Sequence, residues 1–261
     1  MFKALLVCLL SYGLASTVST ASAGPLILGL RAGSSIPDLR DNGGNELSKG
    51  WSSRVAPYYG AFAELEITPA FSVQAELSYA AQGGRKDGLQ PIITDLSALG
   101  VPPGVTLYAR FKNIAKLDYL EIPVLAKYHF GPANRLFVGA GPYVGFLLSA
   151  KTVTSGQSSI YMDPQGTQPL AFPPGSPYEG APVPPQDFGA TTDGKADLHT
   201  FNWGLQAGAG YARPVGPGMA SLELRGGLGL ANIQKDTATN GKNVTGNLVI
   251  ALGYGMRFGG R

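Results

Sequence analysis

The sequence predicts an all-β protein, an eight-stranded antiparallel up-and-down barrel that crosses a membrane with its strands. Three observations predict it. Eight segments alternate apolar with small or polar residues at period two, the connections between them alternate long and short, and the charges lie on the glycine-rich face of the segments. Each element follows in chain order.

The chain opens with cationic Met1-Phe2-Lys3, an apolar run from Ala4 to about Leu14, and a small-residue stretch ending Ala21-Ser22-Ala23-Gly24. These three regions predict a secretory signal peptide over 1–23, cleaved after Ala23. The apolar run, near ten residues, is too short to cross a bilayer core of about 30 Å as a helix. Cys8 is the one cysteine and lies inside this segment, so the remaining 24–261 offers no disulfide, thiol nucleophile or cysteine-based metal site. No later stretch approaches the ~18 uninterrupted apolar residues of a membrane helix. The formal charge of +3 falls to about +2 without Lys3, which gives no basis for a nucleic-acid partner. With 37 glycines, 12 tyrosines, 11 phenylalanines and only 14% charged residues, the composition suits turns and tightly packed strands.

Residues i, i+2 and i+4 of a strand share a face, so a strand between lipid and a polar interior must alternate. Near the end of the chain Leu248, Ile250, Leu252, Tyr254, Met256 and Phe258 oppose Asn247, Val249, Ala251, Gly253, Gly255 and Arg257. The same division separates Ala220, Leu222, Leu224, Leu228 and Leu230 from Ser221, Glu223, Arg225, Gly227 and Gly229. It sets Phe201, Trp203, Leu205, Ala207, Ala209 and Tyr211 against Asn202, Gly204, Gln206, Gly208 and Gly210. Phe71, Val73, Ala75, Leu77 and Tyr79 oppose Ser72, Gln74, Glu76, Ser78 and Ala80. Leu136, Val138, Ala140, Val144, Phe146 and Leu148 oppose Gly139, Gly141, Tyr143, Gly145 and Ser149. Three segments fit less cleanly: Leu26 to Ala32, with Ile27 on the wrong face; Tyr59 to Ile67, with Phe62 an exception; and Leu120 to Phe130, opposed by Tyr119, Glu121, Lys127 and His129.

Between these segments the gaps run 34–57 long, 68–70 short, 84–113 long, 131–135 short, 152–199 long, 213–218 short and 232–245 long. Short turns on one side and long loops on the other are the layout of outer-membrane barrels, and an even strand number leaves both termini on the short-turn side. A soluble barrel with a ligand cavity would put its apolar residues inside. Here the glycine-rich face carries Arg31, Glu64, Glu66, Glu76, Glu121, Lys127, Glu223, Arg225 and Arg257, so the expected lumen is filled by a network of ion pairs and hydrogen bonds. Two aromatic girdles are expected, with Phe71, Tyr128, Phe130, Tyr211, Tyr254 and Phe258 at the turn side and Tyr58, Tyr59, Tyr79, Phe201 and Trp203 at the loop side. Segment 152–199, with eight prolines and few aliphatics, reads as an extended or mobile outer loop.

Chemistry-bearing motifs are sparse. Gly189 to Lys195 has phosphate-loop spacing, but Ala196 stands where the Mg²⁺-binding hydroxyl belongs. Asp236-x-Ala238-x-Asn240-Gly241 is a degraded calcium-loop pattern that reads as a polar turn. His129 and His199 fall at opposite ends of the barrel; His199 beside Asp197 is a rim arrangement without a catalytic role. The expectation is therefore no catalytic, cofactor-binding or metal-binding residue, and no cofactor.

Tyr119-Leu120-Glu121-Ile122-Pro123-Val124-Leu125-Ala126-Lys127-Tyr128, followed by Gly139-Ala140-Gly141-Pro142-Tyr143-Val144-Gly145, resembles the paired motifs of the PorT-like outer-membrane β-barrel family. The two motifs cover about 30 residues; over 24–261 the likeness is one of barrel layout. The resemblance implies an eight-stranded barrel in the outer membrane of a Bacteroidota-type bacterium, in a family whose members mostly lack an assigned activity and in part serve secretion and gliding machinery. The reading is thus a non-enzymatic structural or interaction protein. Its partners would be outer-membrane lipid and a surface ligand or envelope protein held by the loops. The alternative is a rim-active enzyme or a small-solute transporter or porin.

Overall fold

Eight long strands carry the two-faced pattern: β1 (Leu26–Asp41), β2 (Ala56–Glu66), β3 (Phe71–Pro91), β4 (Tyr108–Phe130), β5 (Arg135–Ser155), β6 (Phe201–Val215), β7 (Gly218–Gly229) and β8 (Asn243–Phe258). The structure, a computed structural model, describes residues 24–43, 45–92, 101, 104–131 and 135–259, so the signal peptide expected over 1–23 lies outside the described residues. Every strand pairs antiparallel with its neighbours in sequence, and β8 pairs with β1 along all sixteen residues of both, which closes the ring and leaves no edge.

The register sets the barrel's shape. Passing between hydrogen-bonded partners from Leu26 leads through Leu65, Val73, Ala126, Ala140, Ala207, Gly226 and Leu248 to Ile36, ten residues further along β1. Ten residues of stagger, about 33 Å, against eight strand spacings of about 4.8 Å correspond to a tilt of roughly 40° and a backbone radius of about 8 Å. An interior of that width holds side chains and nothing larger.

Short turns join the strands at one end. Thr68 Oγ1 accepts from the backbone N–H of Ala70 and Phe71 at 3.3 and 3.0 Å. Gly216 begins the two-residue turn between β6 and β7 with φ +57°, a conformation that glycine adopts without a Cβ penalty. At the other end the strands outrun the alternation: β3 continues to Pro91, β4 starts at Tyr108 and β5 reaches Ser155, inside the segments expected to be loops. Beyond the apolar band both faces meet polar surroundings, so the residues there carry no period-two signature.

The outward face is apolar. Leu30 and Leu252 are 70% and 67% exposed, and similar exposure recurs at Leu136, Leu205, Leu222, Leu224 and Ile250. Phe71, Tyr128, Phe130, Tyr211, Tyr254 and Phe258 project outward at the turn side, while Tyr59, Phe201 and Trp203 do so at the loop side, where Tyr59 stacks on Tyr79 at 4.9 Å. Tyr58 is a correction: it is buried in the lumen and hydrogen-bonds Glu76 rather than joining the girdle. The two apolar exceptions of the sequence also point inward. Ile27 and Phe62 are buried, and Phe62 lies in the space left open by Gly29, with the Arg31 guanidinium 4.8 Å from its ring centre. In β5 a bulge opposite Asp118/Tyr119 resets the faces, so that Leu147 and Ala150 are both buried and Ser149 is not the inward residue expected.

Segment 152–199 is not the structureless excursion that its proline content suggests. Gln157–Ser158 pairs with Gln186–Asp187, Ile160–Tyr161 adds to the outer end of β4, and Ala190–Asp193 pairs with Lys151–Thr154 of β5. Its few apolar side chains suffice because a hairpin of strand extensions already offers a surface. Ile160, Val183 and Leu198 are buried, and Phe188 stacks on Phe111 at 5.2 Å.

Candidate functional site, the lumen of the barrel

Inward positions at even spacing bring side chains from all eight strands to one axis, and those side chains form a ladder of charge pairs. At the turn side Glu66 of β2 accepts from Arg135 of β5 and Arg257 of β8. One level in, Glu64 accepts from Lys127 Nζ at 2.7 Å and from Ser72 Oγ at 2.7 Å, with His129 Nε2 at 3.0 Å. Gln74 Oε1 then accepts from both Lys127 Nζ at 3.0 Å and Arg31 Nη2 at 3.3 Å, linking this level to the centre. There Arg31 and Arg225 share Glu76 and Glu223: Arg31 Nη1 lies 3.1 and 2.9 Å from them, Arg225 Nη2 3.2 and 2.7 Å.

Above the centre the network becomes neutral in its donors. Gln206 accepts from Arg225 at 3.2 Å and donates to Glu121 at 3.0 Å, while Gln82 donates to the other Glu121 oxygen at 2.8 Å. Asn202 donates to Thr245 Oγ1 at 2.9 Å. Over this layer Leu39, Tyr119, Leu147, Leu198 and Ile233 form an apolar lid, with Trp51 packed against it. Leu198 and Ile233 come from loops and are held by the backbone bond from His199 N–H to Ile233 O at 2.9 Å.

Taking such charges out of water costs several kcal/mol each, so they persist only where pairing is close and the remaining polar atoms are met. The pairing is close here: five carboxylates (Glu64, Glu66, Glu76, Glu121, Glu223) stand among five cations (Arg31, Lys127, Arg135, Arg225, Arg257), and Arg31 Nε is a buried atom of the ladder left without a partner. The nine charged residues expected inside from alternation all line this ladder; Arg135 is the one that alternation missed, because it opens β5 at the turn where the pattern has barely begun.

The two motifs on β4 and β5 are read by the same geometry. Lys127 faces Gly139 and Glu121 faces Gly145 across the pair, so these two long inward side chains of β4 each lie over a glycine of β5. Small residues on one strand thus make room for the charge ladder of the other.

The remaining candidates are resolved individually. Ser72, His129 and Glu64 meet in one cluster, but Ser72 Oγ and Glu64 Oε1 both approach Nε2 of His129, and Nδ1 has no partner. A hydrolytic relay needs the hydroxyl and the acid on opposite ring nitrogens. His199 and Asp197 sit on the exposed rim. Gly189 to Lys195 is largely a strand, its Lys195 Nζ bonded to Leu148 O at 2.8 Å. Asp236 caps the short helix Thr237–Asn240 by accepting from Ala238 and Thr239 N–H at 3.0 and 3.1 Å. Among the described residues no three His, Asp or Glu side chains are arranged to hold a metal ion.

Comparison with known proteins gives the chain its place. No curated protein matches it. Among solved structures it is similar to the outer membrane protein OprG from Pseudomonas aeruginosa, at 13% identity over 92% of this chain and 98% of that one, with a TM-score of 0.42. It is also similar to Neisserial surface protein A (11% identity, 88% and 97% covered, TM-score 0.39) and to the outer membrane protease OmpT from Escherichia coli (10% identity, 93% and 99% covered, TM-score 0.32). Residues 19–235 match the family model described as outer membrane protein beta-barrel domain, which takes in β1 to β7. The chain belongs to that family, and its location is the bacterial outer membrane.

Proposed function

We propose that the protein is a closed outer-membrane barrel that presents its loops to a surface ligand or envelope protein, and that it acts neither as a pore nor as an enzyme. The observation that carries this reading is closure of the lumen at successive levels: the Glu66 pairs at the turn side, the Arg31–Glu76–Arg225–Glu223 cluster at the centre and the Leu198–Ile233 lid at the loop side. A solute would have to break buried ion pairs to pass, each break costing about 3–5 kcal/mol. The folded segment 152–199 supports the loop-presenting role, since an ordered surface binds without first losing the conformational entropy of a mobile one. Kinship with the PorT-like group rests on the β4 and β5 motifs, cleavage after Ala23 on the three-region pattern of 1–23, and the placing of the long loops outside on the layout of such barrels.

Planar-bilayer recording of the purified protein tests the closed lumen. Silent membranes are expected, and steady nanosiemens channels would refute it. Protease added to intact cells should cut within 156–199, and protection of that segment would overturn the topology. Modification of phospholipid by the refolded barrel would overturn the non-enzymatic reading.

A further inference from the structure

Beyond the apolar band the strand extensions form a sheet that stops at an open edge. Residues 112–118 of β4 pair with 149–155 of β5, and β5 takes Ala190–Asp193 on its other side. That last pairing is longer than its four residues. Lys151 faces Asp193, Thr154 faces Ala190 and Gln157 faces Asp187 at one constant register. The N–H groups of Phe188 and Gly194 bond Gly156 O at 2.9 Å and Ala150 O at 3.0 Å in the same register. Residues 186–194 are therefore one edge strand, about 30 Å long.

In an antiparallel ladder successive residues bond alternately toward the partner and away from it. Phe188 and Gly194 bond toward β5, so Ala190 and Thr192 do as well, and Gly189, Thr191 and Asp193 turn their backbone groups to the open side. Gly189 N–H is taken by Asp187 Oδ1 at 2.8 Å. The N–H groups of Thr191 and Asp193 and the C=O groups of all three meet no partner among the described residues. Free edges are ordinarily blunted by lysine, proline or a covering segment. Here 186–194 contains neither residue, and 189–193 are exposed throughout. The edge also carries charge of one sign. Asp187 and Asp193 share a face through their even spacing, and neither forms an ion pair among the described residues, although Lys151 lies across the ladder from Asp193.

The membrane excludes a second copy of the chain beside it as the occupant. Antiparallel pairing reverses the strand, and this strand is inclined with β5, so the second barrel would stand inverted. A two-fold axis along the membrane normal would instead cross the two edges at twice the tilt, about 80°, too steep to pair. We propose that this edge binds an extended polypeptide segment of a second protein, which adds as a further strand along 187–193 and sets basic side chains opposite Asp187 and Asp193. The inference rests on the loop-presenting reading and names the chemistry of the partner.

The test uses the full barrel in lipid nanodiscs and a fluorescent peptide of about ten residues that alternates lysine with threonine and valine, long enough to cover the edge. Fluorescence anisotropy should show saturable binding. The same peptide methylated on its backbone nitrogens keeps its charge and loses its donors, and its affinity should fall about tenfold or more. Thr191→Pro removes an outward N–H without touching the bonds toward β5, and should weaken the unmethylated peptide about fivefold. Asp193→Lys should reverse the preference for the lysine peptide over its glutamate counterpart, and it serves should the proline variant fold poorly. Equal affinity for the methylated peptide, unchanged binding in Thr191→Pro or Asp193→Lys, or no binding at about 1 mM peptide would overturn the site. So would a dimer that Thr191→Pro abolishes, because the edge would then be a self-interface. Heat-modified gel mobility reports whether each variant is a folded barrel. Loops cut on intact cells with no peptide bound would sink the edge alone, whereas protected loops would sink the loop-presenting reading beneath it.

Discussion

Replacing Arg225 with methionine removes the cation that sits deepest in the lumen. Its guanidinium donates to Glu223 at 2.7 Å, to Glu76 at 3.2 Å and to Gln206 at 3.2 Å, and its side chain is 3% exposed. Arg31 stays within 3.1 and 2.9 Å of the same two carboxylates, so one buried cation must then serve two anions. Methionine occupies much of the vacated space, which keeps the cavity contribution small. What remains is the penalty for an uncompensated buried charge, about 3–5 kcal/mol of unfolding free energy. Urea titration of the protein refolded into lipid vesicles, followed by the fluorescence of Trp51 and Trp203, measures it. The double variant Arg225→Met/Glu223→Leu removes a matched pair and should recover at least about 2 kcal/mol of that loss, because an apolar pair of similar volume replaces an ionic one at little net cost. A loss below about 1 kcal/mol in the single variant would refute the central role of the cluster. A double variant that loses the sum of the two single effects would refute the pairing.

Two further outcomes follow from the same faces. Leu224→Arg places a charge at mid-height on the outward face, where leucine is 49% exposed. In vesicles it should cost about 2–4 kcal/mol, whereas a solvated surface would tolerate it almost unchanged, so the titration distinguishes lipid from water as the covering. Tyr119→Phe should leave stability equal or raise it by about 1 kcal/mol, because the hydroxyl is buried under the lid without a partner; a loss above about 1 kcal/mol would mean that the hydroxyl is satisfied in the folded protein.

Much of the architecture was legible because a membrane imposes period two on every spanning strand. Leu248 to Phe258 could be assigned to its two faces residue by residue for that reason, and the inward charges from Arg31 to Arg257 followed as the complement of the lipid-facing stripe. Where one environment stops, so does the signal. The extensions of β3, β4 and β5 lie beyond the apolar band and were indistinguishable from loop.

Alternation, with the charges on the glycine-rich face and the long and short connections in turn, determined that this chain closes on a polar interior; alternation alone also fits one sheet of a soluble sandwich. It could not determine which charge meets which, because partners such as Arg31 and Glu223 lie 192 residues apart and are brought together only by the ten-residue stagger of the closed ring. The lid of Leu198 and Ile233 and the inward turn of Tyr58 were decided the same way. Each depends on distances across the barrel or around it, and a linear pattern holds no information about those until the last strand meets the first.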